Sequence, residues 1–323
     1  MINTLVYRDQ KLIAQNCSME ELAVFRAEPT IMLWVDLAEP TAEEITQVLE
    51  KLFGFHPLAI EDCVNDSPFP KLEAYDDYLY FVMHAVDTSE APVFKTTELD
   101  LFLGKNYLVT FHHRPLESVN AAFERFLSTA TEPVRGPDRF AHTILDSMVE
   151  AYKPPLDALR QEIDKVEEGV LHEMSSEELF PKVVALRKQL SRLRQILRPQ
   201  REIAAELAQG KHAFIRSAIT PYLRDLAEEL GRIEIQTQVW AEQLIISFRI
   251  YINKSSHEAN AGIRVLTAIT ALTFPALLVG GWYGMNFQHM PELGALQSYP
   301  LAFALMVAGT YATYLFMRRK KWL

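Results

Sequence analysis

Apolar and polar positions change their period along this chain, and the change predicts its organisation. Up to about residue 135, short apolar runs alternate with helix-like stretches. Ile31-Met32-Leu33-Trp34-Val35-Asp36-Leu37 reads as a strand, followed by a helix whose start is signalled by Thr41-Ala42-Glu43-Glu44. Tyr78–Val86 and Tyr107–Phe111 are β-branched and aromatic, so strands again. Glu98–Gly104 ends at Gly104-Lys105-Asn106, a hairpin turn into the strand that starts at Tyr107. Residues 1–135 are expected to form an α/β domain.

Beyond Gly136-Pro137-Asp138 the pattern becomes purely helical. One helix is expected from about Asp138 to His172, bent at Lys153-Pro154-Pro155. A second should run from about Ser176 to Ala208 and stop at Gly210; Leu186, Leu190, Leu193 and Leu197 give it one apolar face. Residues 136–212 therefore read as a helical pair packed on the α/β domain. A third helix follows, with no proline between Pro221 and Pro275 and only Gly231 and Gly262 in its pre-membrane part. From Thr220 to Gly284 it would extend roughly 95 Å, far more than a bilayer requires. Residues 213–264 are thus a stalk continuing into a membrane span. One exposed helix of that length is marginal, so stalks of neighbouring subunits are expected to bundle.

No charged residue occurs from Val265 to Phe287, or from Leu293 to Met317. Each run is long enough to cross a bilayer, giving a transmembrane domain over 265–323 with spans of about 265–284 and 299–317. Lys254 and Arg264 precede the first span and Arg318-Arg319-Lys320-Lys321 follow the second, whereas the connecting loop Gln288–Gln297 carries Glu292 and no Lys or Arg. The positive-inside bias puts both termini and the soluble part in the cytoplasm.

Composition narrows the partners. The formal charge is -10 over 323 residues, which argues against nucleic acid and is compatible with cations. Cys17 and Cys63 form neither a disulfide framework nor a zinc module. The absence of a P-loop or GxGxxG leaves no sign of ATP-driven pumping, and an enzyme is not expected. His112-His113 is a poor ligand pair, because adjacent strand residues point to opposite faces. The carboxylate pairs Glu61-Asp62 and Asp76-Asp77 read as solvated.

One face of the third helix carries Asn253, Asn260, Ile263, Thr267, Thr270, Phe274, Leu277 and Gly281. From Asn260 onward the spacings alternate three and four, the period of a seam on a common axis. Ile269, Leu272 and Leu278, outside that series, are uniformly apolar and read as lipid-facing. Small and hydroxyl residues in such a series either pack one membrane helix on another or line a pore. After this face comes Gly281-Trp282-Tyr283-Gly284-Met285-Asn286-Phe287. On its residues alone it reads as a helix stop, since Gly is favoured just past a helix end and Asn tolerates the left-handed conformation there.

Tyr-Gly-Met-Asn-Phe followed by Met290-Pro291-Glu292-Leu293 resembles the loop signature of the CorA family of divalent-cation channels. The resemblance extends to His56-Pro57-Leu58-Ala59-Ile60-Glu61-Asp62, Pro70-Lys71-Leu72-Glu73, Tyr222-Leu223-Arg224-Asp225 and the Lys320–Leu323 ending. It implies an α+β subunit in a funnel-shaped homopentamer of the cytoplasmic membrane, taking up Mg²⁺, with Co²⁺ and Ni²⁺ as further substrates. Gly284, Met285 and Asn286 would form the selectivity mouth. Asn260, Ile263, Leu266 and Phe274 match the polar ring and the narrow hydrophobic gate. Asp62 and Asp225 match carboxylates that hold a regulatory Mg²⁺ between adjacent subunits, and no organic cofactor is implied. Two departures stand out. Arg249 occupies a position that is often acidic at the pore exit, and Phe274 one that is often Met. A proton-coupled Zn²⁺ transporter on the same fold and a non-conducting membrane scaffold are the alternative readings.

Overall fold

The computed structural model describes residues 1–87, 95–128, 135–171, 175–285 and 297–320. They divide into two compact units, Met1–Ser247 and Phe248–Leu323. The first is built on a seven-stranded mixed sheet. Its strands are β1 (Ile2–Arg8), β2 (Lys11–Gln15), β3 (Ile31–Ala38), β4 (Lys71–Ala74), β5 (Tyr78–Asp87), β6 (Lys95–Gly104) and β7 (Tyr107–His112). Their spatial order is β2-β1-β3-β7-β6-β5-β4. Only β3 and β7 pair in parallel; the hairpin expected at Gly104-Lys105-Asn106 joins β6 to β7 antiparallel.

Strand β3 is apolar almost throughout because both faces of the sheet are covered. Ile31, Leu33, Val35 and Leu37 enter one core with Val48, Leu49, Ala59 and Cys63. These come from helices α1 (Met19–Ala27), α2 (Ala42–Ile45, widening into π-helical turns over Thr46–Leu52) and α3 (Pro57–Val64), or from the strands they cover. The expected cap at Thr41 is a full capping box with Glu44. On the opposite face, Trp34 meets Phe123, Phe126 and Phe140 from helices α4 (Glu117–Ser128) and α5 (Pro137–Glu150).

The helix expected from Asp138 to His172 is two helices, α5 and α6 (Lys153–Leu171). Pro154 and Pro155 lack the N–H groups that would continue the α5 ladder, but such residues are tolerated in a first turn. The break drops Tyr152 into the core, where its hydroxyl donates to the His84 carbonyl at 2.8 Å and accepts from Gln200 at 2.9 Å. Helix α7 (Ser176–Leu207) ends as expected, with Gly210 at a φ of 66°. Helix α8 runs without interruption from Thr220 to Tyr283. Its first part is a core element: Leu223, Leu226, Leu230, Ile233, Trp240 and Leu244 are buried. Arg201 of α7 pairs with Glu234 at 3.0 Å, and Arg160 of α6 donates to Gln243 at 3.0 Å. Near its N-terminus α5 is anchored by buried Asp138, which accepts from the backbone N–H and guanidinium of Arg216.

Candidate functional site

In the second unit, α8 and α9 (Ser298–Arg319) are both long and apolar enough to cross a membrane. They approach closely where Pro275 meets Gly309: a side chain there would bring its Cβ to 2.9 Å from the proline ring. Leu272 and Ala276 share a groove with Met306, Thr310 and Tyr314 of α9. Thr310 Oγ1 donates to the Leu272 carbonyl at 3.4 Å. Leu272 is thus half-buried against α9, not lipid-facing as its neighbours suggested; a helix turn brings it onto the Ala268–Pro275–Ala276 side. Ile269 and Leu278 remain exposed.

The candidate pore series is exposed on α8, outside the contact that Leu272 and Pro275 make with α9, although Leu266, Thr267, Thr270 and Phe274 line a groove that Thr313 of α9 also borders. Asn260, Thr267, Thr270 and Gly281 are exposed, and Ile263, Leu266, Phe274 and Leu277 are each more than half exposed. Thr270 Oγ1 donates to the Leu266 carbonyl at 2.9 Å. Its donor is therefore satisfied within the helix, and its lone pairs remain as acceptors. Two and three turns below Asn260, Asn253 and Arg249 are also exposed, and Arg249 has no ion-pair partner among the described residues.

Helix α8 ends at the expected loop. The Gly284 N–H donates to the Gly280 carbonyl at 2.9 Å, and a Cβ on Gly284 would crowd that same oxygen at 2.9 Å. Met285 follows, exposed, with its N–H on the Trp282 carbonyl at 3.4 Å. Asn286 lies outside the described residues. Trp282 and Tyr299 are exposed near the ends of the two spans, where aromatic residues suit a membrane interface.

The two carboxylates of the candidate regulatory site belong to the first unit. Asp225 is exposed on α8. Asp62, on α3, is half-buried and forms an ion pair with Lys71 of β4, which also reaches Glu73 at 3.3 Å. Burial disfavours the Lys71 ammonium, but its bonds to Asp62 and Glu73 outweigh that and raise its pKa. Asp62 is therefore already neutralised within the chain, by a cation that a metal would have to compete with. Among the described residues no three His, Cys, Asp or Glu side chains converge as a metal site.

His112 and His113 diverge, as adjacent strand residues must. His112 is buried and contacts Asp36 at 3.2 Å, while Thr110 bridges Asp36 (2.7 Å) to Trp34 (3.1 Å). That network holds β3 to β7. His113 contacts the Cys63 carbonyl at 2.9 Å and Asp66 at 3.6 Å.

A second buried network went unread in the sequence, although Glu98 and Asp100 two apart in an apolar strand are its signature. Tyr80 donates to Asp100 at 2.7 Å, and the Ser67 N–H donates to Glu98 at 2.5 Å. Among the described residues Glu98 Oε1 and Asp100 Oδ2 lack partners, and one proton held between the two carboxyls would satisfy both. Burial raises both pKa values; for Glu98 the Asp100 charge adds to the effect. Above the ordinary carboxylate range the native pair keeps protons that the unfolded chain has released, so stability falls as pH rises. Thermal unfolding in detergent from about pH 5 to about pH 8 should show this decline. Asp100→Asn should flatten it; an unchanged slope would place the linkage elsewhere.

The comparisons with known proteins agree with this architecture. The family model described as CorA-like Mg²⁺ transporter protein matches residues 30–319. The chain therefore belongs to the CorA family, whose members are membrane ion transporters and not enzymes. The putative metal ion transporter YfjQ of Bacillus subtilis is 28% identical over 100% of this chain and 98% of its own length. The cobalt/magnesium transport protein CorA of Thermotoga maritima is 26% identical over 99% of this chain and 96% of its own. The solved structure of the CorA magnesium transporter from Methanocaldococcus jannaschii matches with a TM-score of 0.79 at 21% identity, covering 99% of this chain and 98% of that one.

Proposed function

We propose that this chain is the subunit of a homopentameric Mg²⁺ channel of the cytoplasmic membrane, with both termini in the cytoplasm and closure driven by cytosolic Mg²⁺. The observation that carries the reading is an exposed series on α8, repeating at three and four residues and mixing amide, hydroxyl and apolar side chains. Lipid alone would not call for Asn260 and Thr270, and a scaffold would not need them. A common axis accounts for both, and for a helix of 64 residues. The names of the relatives from Thermotoga maritima and Methanocaldococcus jannaschii, which carry magnesium and cobalt, agree with this substrate class.

In this reading the ion enters hydrated past Gly284, Met285 and Asn286. Neutral acceptors bind the metal-bound waters weakly enough for the ion to leave, as conduction requires. Further in, Thr270 supplies acceptors, while Phe274, Leu266 and Ile263 form a constriction that closes by dewetting. Asn260 rings the cytoplasmic side of that constriction, and Leu277 and Gly281 shape its outer approach. Flux into liposomes with Mg²⁺, Co²⁺, Ni²⁺ and Zn²⁺, with and without a proton gradient, tests the reading. Mg²⁺ flux independent of the proton gradient is expected; flux of Zn²⁺ alone, driven by protons, would replace it.

Arg249 is expected to oppose cation passage at the exit, because no acid among the described residues pairs with it. Arg249→Asp should raise conductance several-fold at low salt and less at high salt, where screening is stronger. Equal conductance at every ionic strength would place Arg249 away from the axis.

A further inference from the structure

The first unit contains a cleft of about 670 Å³ that the transport reading does not use. Its volume falls in the range of roughly 300–1,000 Å³ common for small-molecule sites. The inner wall carries His84, directly opposite Glu98 across the β5–β6 ladder. His84 is only 6% exposed, and among the described residues neither ring nitrogen has a partner at hydrogen-bonding geometry. Burial lowers its pKa, with a weaker opposing pull from the nearby Ser67 carbonyl. The ring is therefore neutral, with one donor and one acceptor to offer. Buried polar atoms without partners are rare enough in native proteins to call for an occupant.

The rim differs in chemistry from the wall. Lys95, Arg114 and Arg192 line it, the first two already engaged within the chain, together with Asp66, which His113 contacts, and Glu98, which burial keeps protonated. Phe69 also lines the cleft and is 51% exposed, leaving ring surface for a planar group. A neutral donor–acceptor pair inside, an aromatic ring beside it and three cations outside match a ligand with a heteroaromatic head and a phosphate tail. We propose that this cleft is a cytosolic nucleotide-binding site.

Its location gives occupancy a consequence. The segment Asp66–Phe69 joins α3, which carries Asp62, to β4, which carries Lys71. The Ser67 N–H already ties that segment to Glu98. A nucleotide gripped by Phe69 and the rim holds α3 and β4 together, and so biases the Asp62–Lys71 pair that a regulatory Mg²⁺ must open. The site stands independently of the gating reading; only this coupling rests on it.

Full-length protein in detergent, with divalent metals chelated, is titrated with AMP, ATP, adenosine and inorganic phosphate by calorimetry. Saturable nucleotide binding is expected, with adenosine and phosphate each weaker by about tenfold or more. Arg192→Ala and Phe69→Ala, at exposed positions that leave the fold intact, should each weaken nucleotide binding by about tenfold. No saturable nucleotide binding, equal binding of phosphate, or wild-type affinity in both variants would overturn the site. In proteoliposomes at clamped free Mg²⁺, internal nucleotide should shift the Mg²⁺ inhibition curve at least about threefold. An unshifted curve with binding intact overturns the coupling alone. A wild-type channel that internal Mg²⁺ never inhibits overturns the gating reading and leaves the binding result standing.

Discussion

Asn286→Ala should abolish Mg²⁺ uptake in a protein that still assembles. Mg²⁺ holds its octahedral water shell tightly, so a mouth that selects it must bind those waters and not strip them. A metal-bound water is a strongly polarised donor, and its bond to a neutral acceptor is worth about 1.5–3 kcal/mol. Repeated around a pentamer, the loss amounts to several such bonds, and each 1.4 kcal/mol is a tenfold change in occupancy. Alanine removes the acceptor without adding bulk. Assembly should be spared, because the residue follows the end of α8 at Tyr283 and the substitution only shortens a side chain. Asn286→Asp should also fail, for the opposite reason: a ring of carboxylates would hold the ion too firmly to release it. Indicator dye inside proteoliposomes reads the flux, and size-exclusion chromatography reads the assembly. Normal uptake by a correctly assembled Asn286→Ala protein would sink the proposed mouth.

The elements that sequence disclosed best are those whose signal is continuous. Helix α8 ends within a residue of the expected Gly284 and starts at Thr220, inside the stalk expected from residue 213, because only Pro275, Gly231, Gly262 and the Gly280–Gly281 pair interrupt its period, and a proline there can pack on Gly309. Strands β3, β5 and β7 were legible because they are buried on both faces and therefore nearly unbroken in apolarity. The β1–β2 hairpin was not. Its two-residue turn places Asp9 and Gln10 at positive φ, where the usual Asn-Gly or Asp-Gly signal is missing. The parallel pairing of β3 with β7 joins segments some seventy residues apart, and no local pattern encodes it.

The candidate site divides in the same way. The α8 face follows from helical spacing alone, and Asn260, Thr270 and Phe274 are exposed on that helix. Leu272 shows the limit of that reasoning, since apolarity does not distinguish a lipid neighbour from a second helix. The Asp62–Lys71 pair and the His84–Glu98 opposition depend on strand register and loop path. Neither is visible until the sheet is assembled.

A double Asp62→Asn, Asp225→Asn variant should keep conducting at internal Mg²⁺ that silences the wild type. Two hard oxygen donors completed by waters suit weak, millimolar Mg²⁺ binding. A metal that prefers the closed state stabilises it by about 0.4 kcal/mol per site when its concentration equals Kd. Five symmetry-related sites then contribute about 2 kcal/mol, a shift of some thirtyfold in the gating equilibrium. Lys71 sets the threshold, because its ammonium already occupies Asp62 and the metal must displace it. Lys71→Met should therefore move the inhibition curve to lower Mg²⁺, opposite in direction to the double variant. Both changes concern partly exposed side chains, so folding is not expected to limit either test. The two curves are recorded side by side in proteoliposomes with internal Mg²⁺ varied. If the double variant closes over the wild-type range and Lys71→Met leaves the midpoint unmoved, the Mg²⁺ that closes the channel binds at other residues.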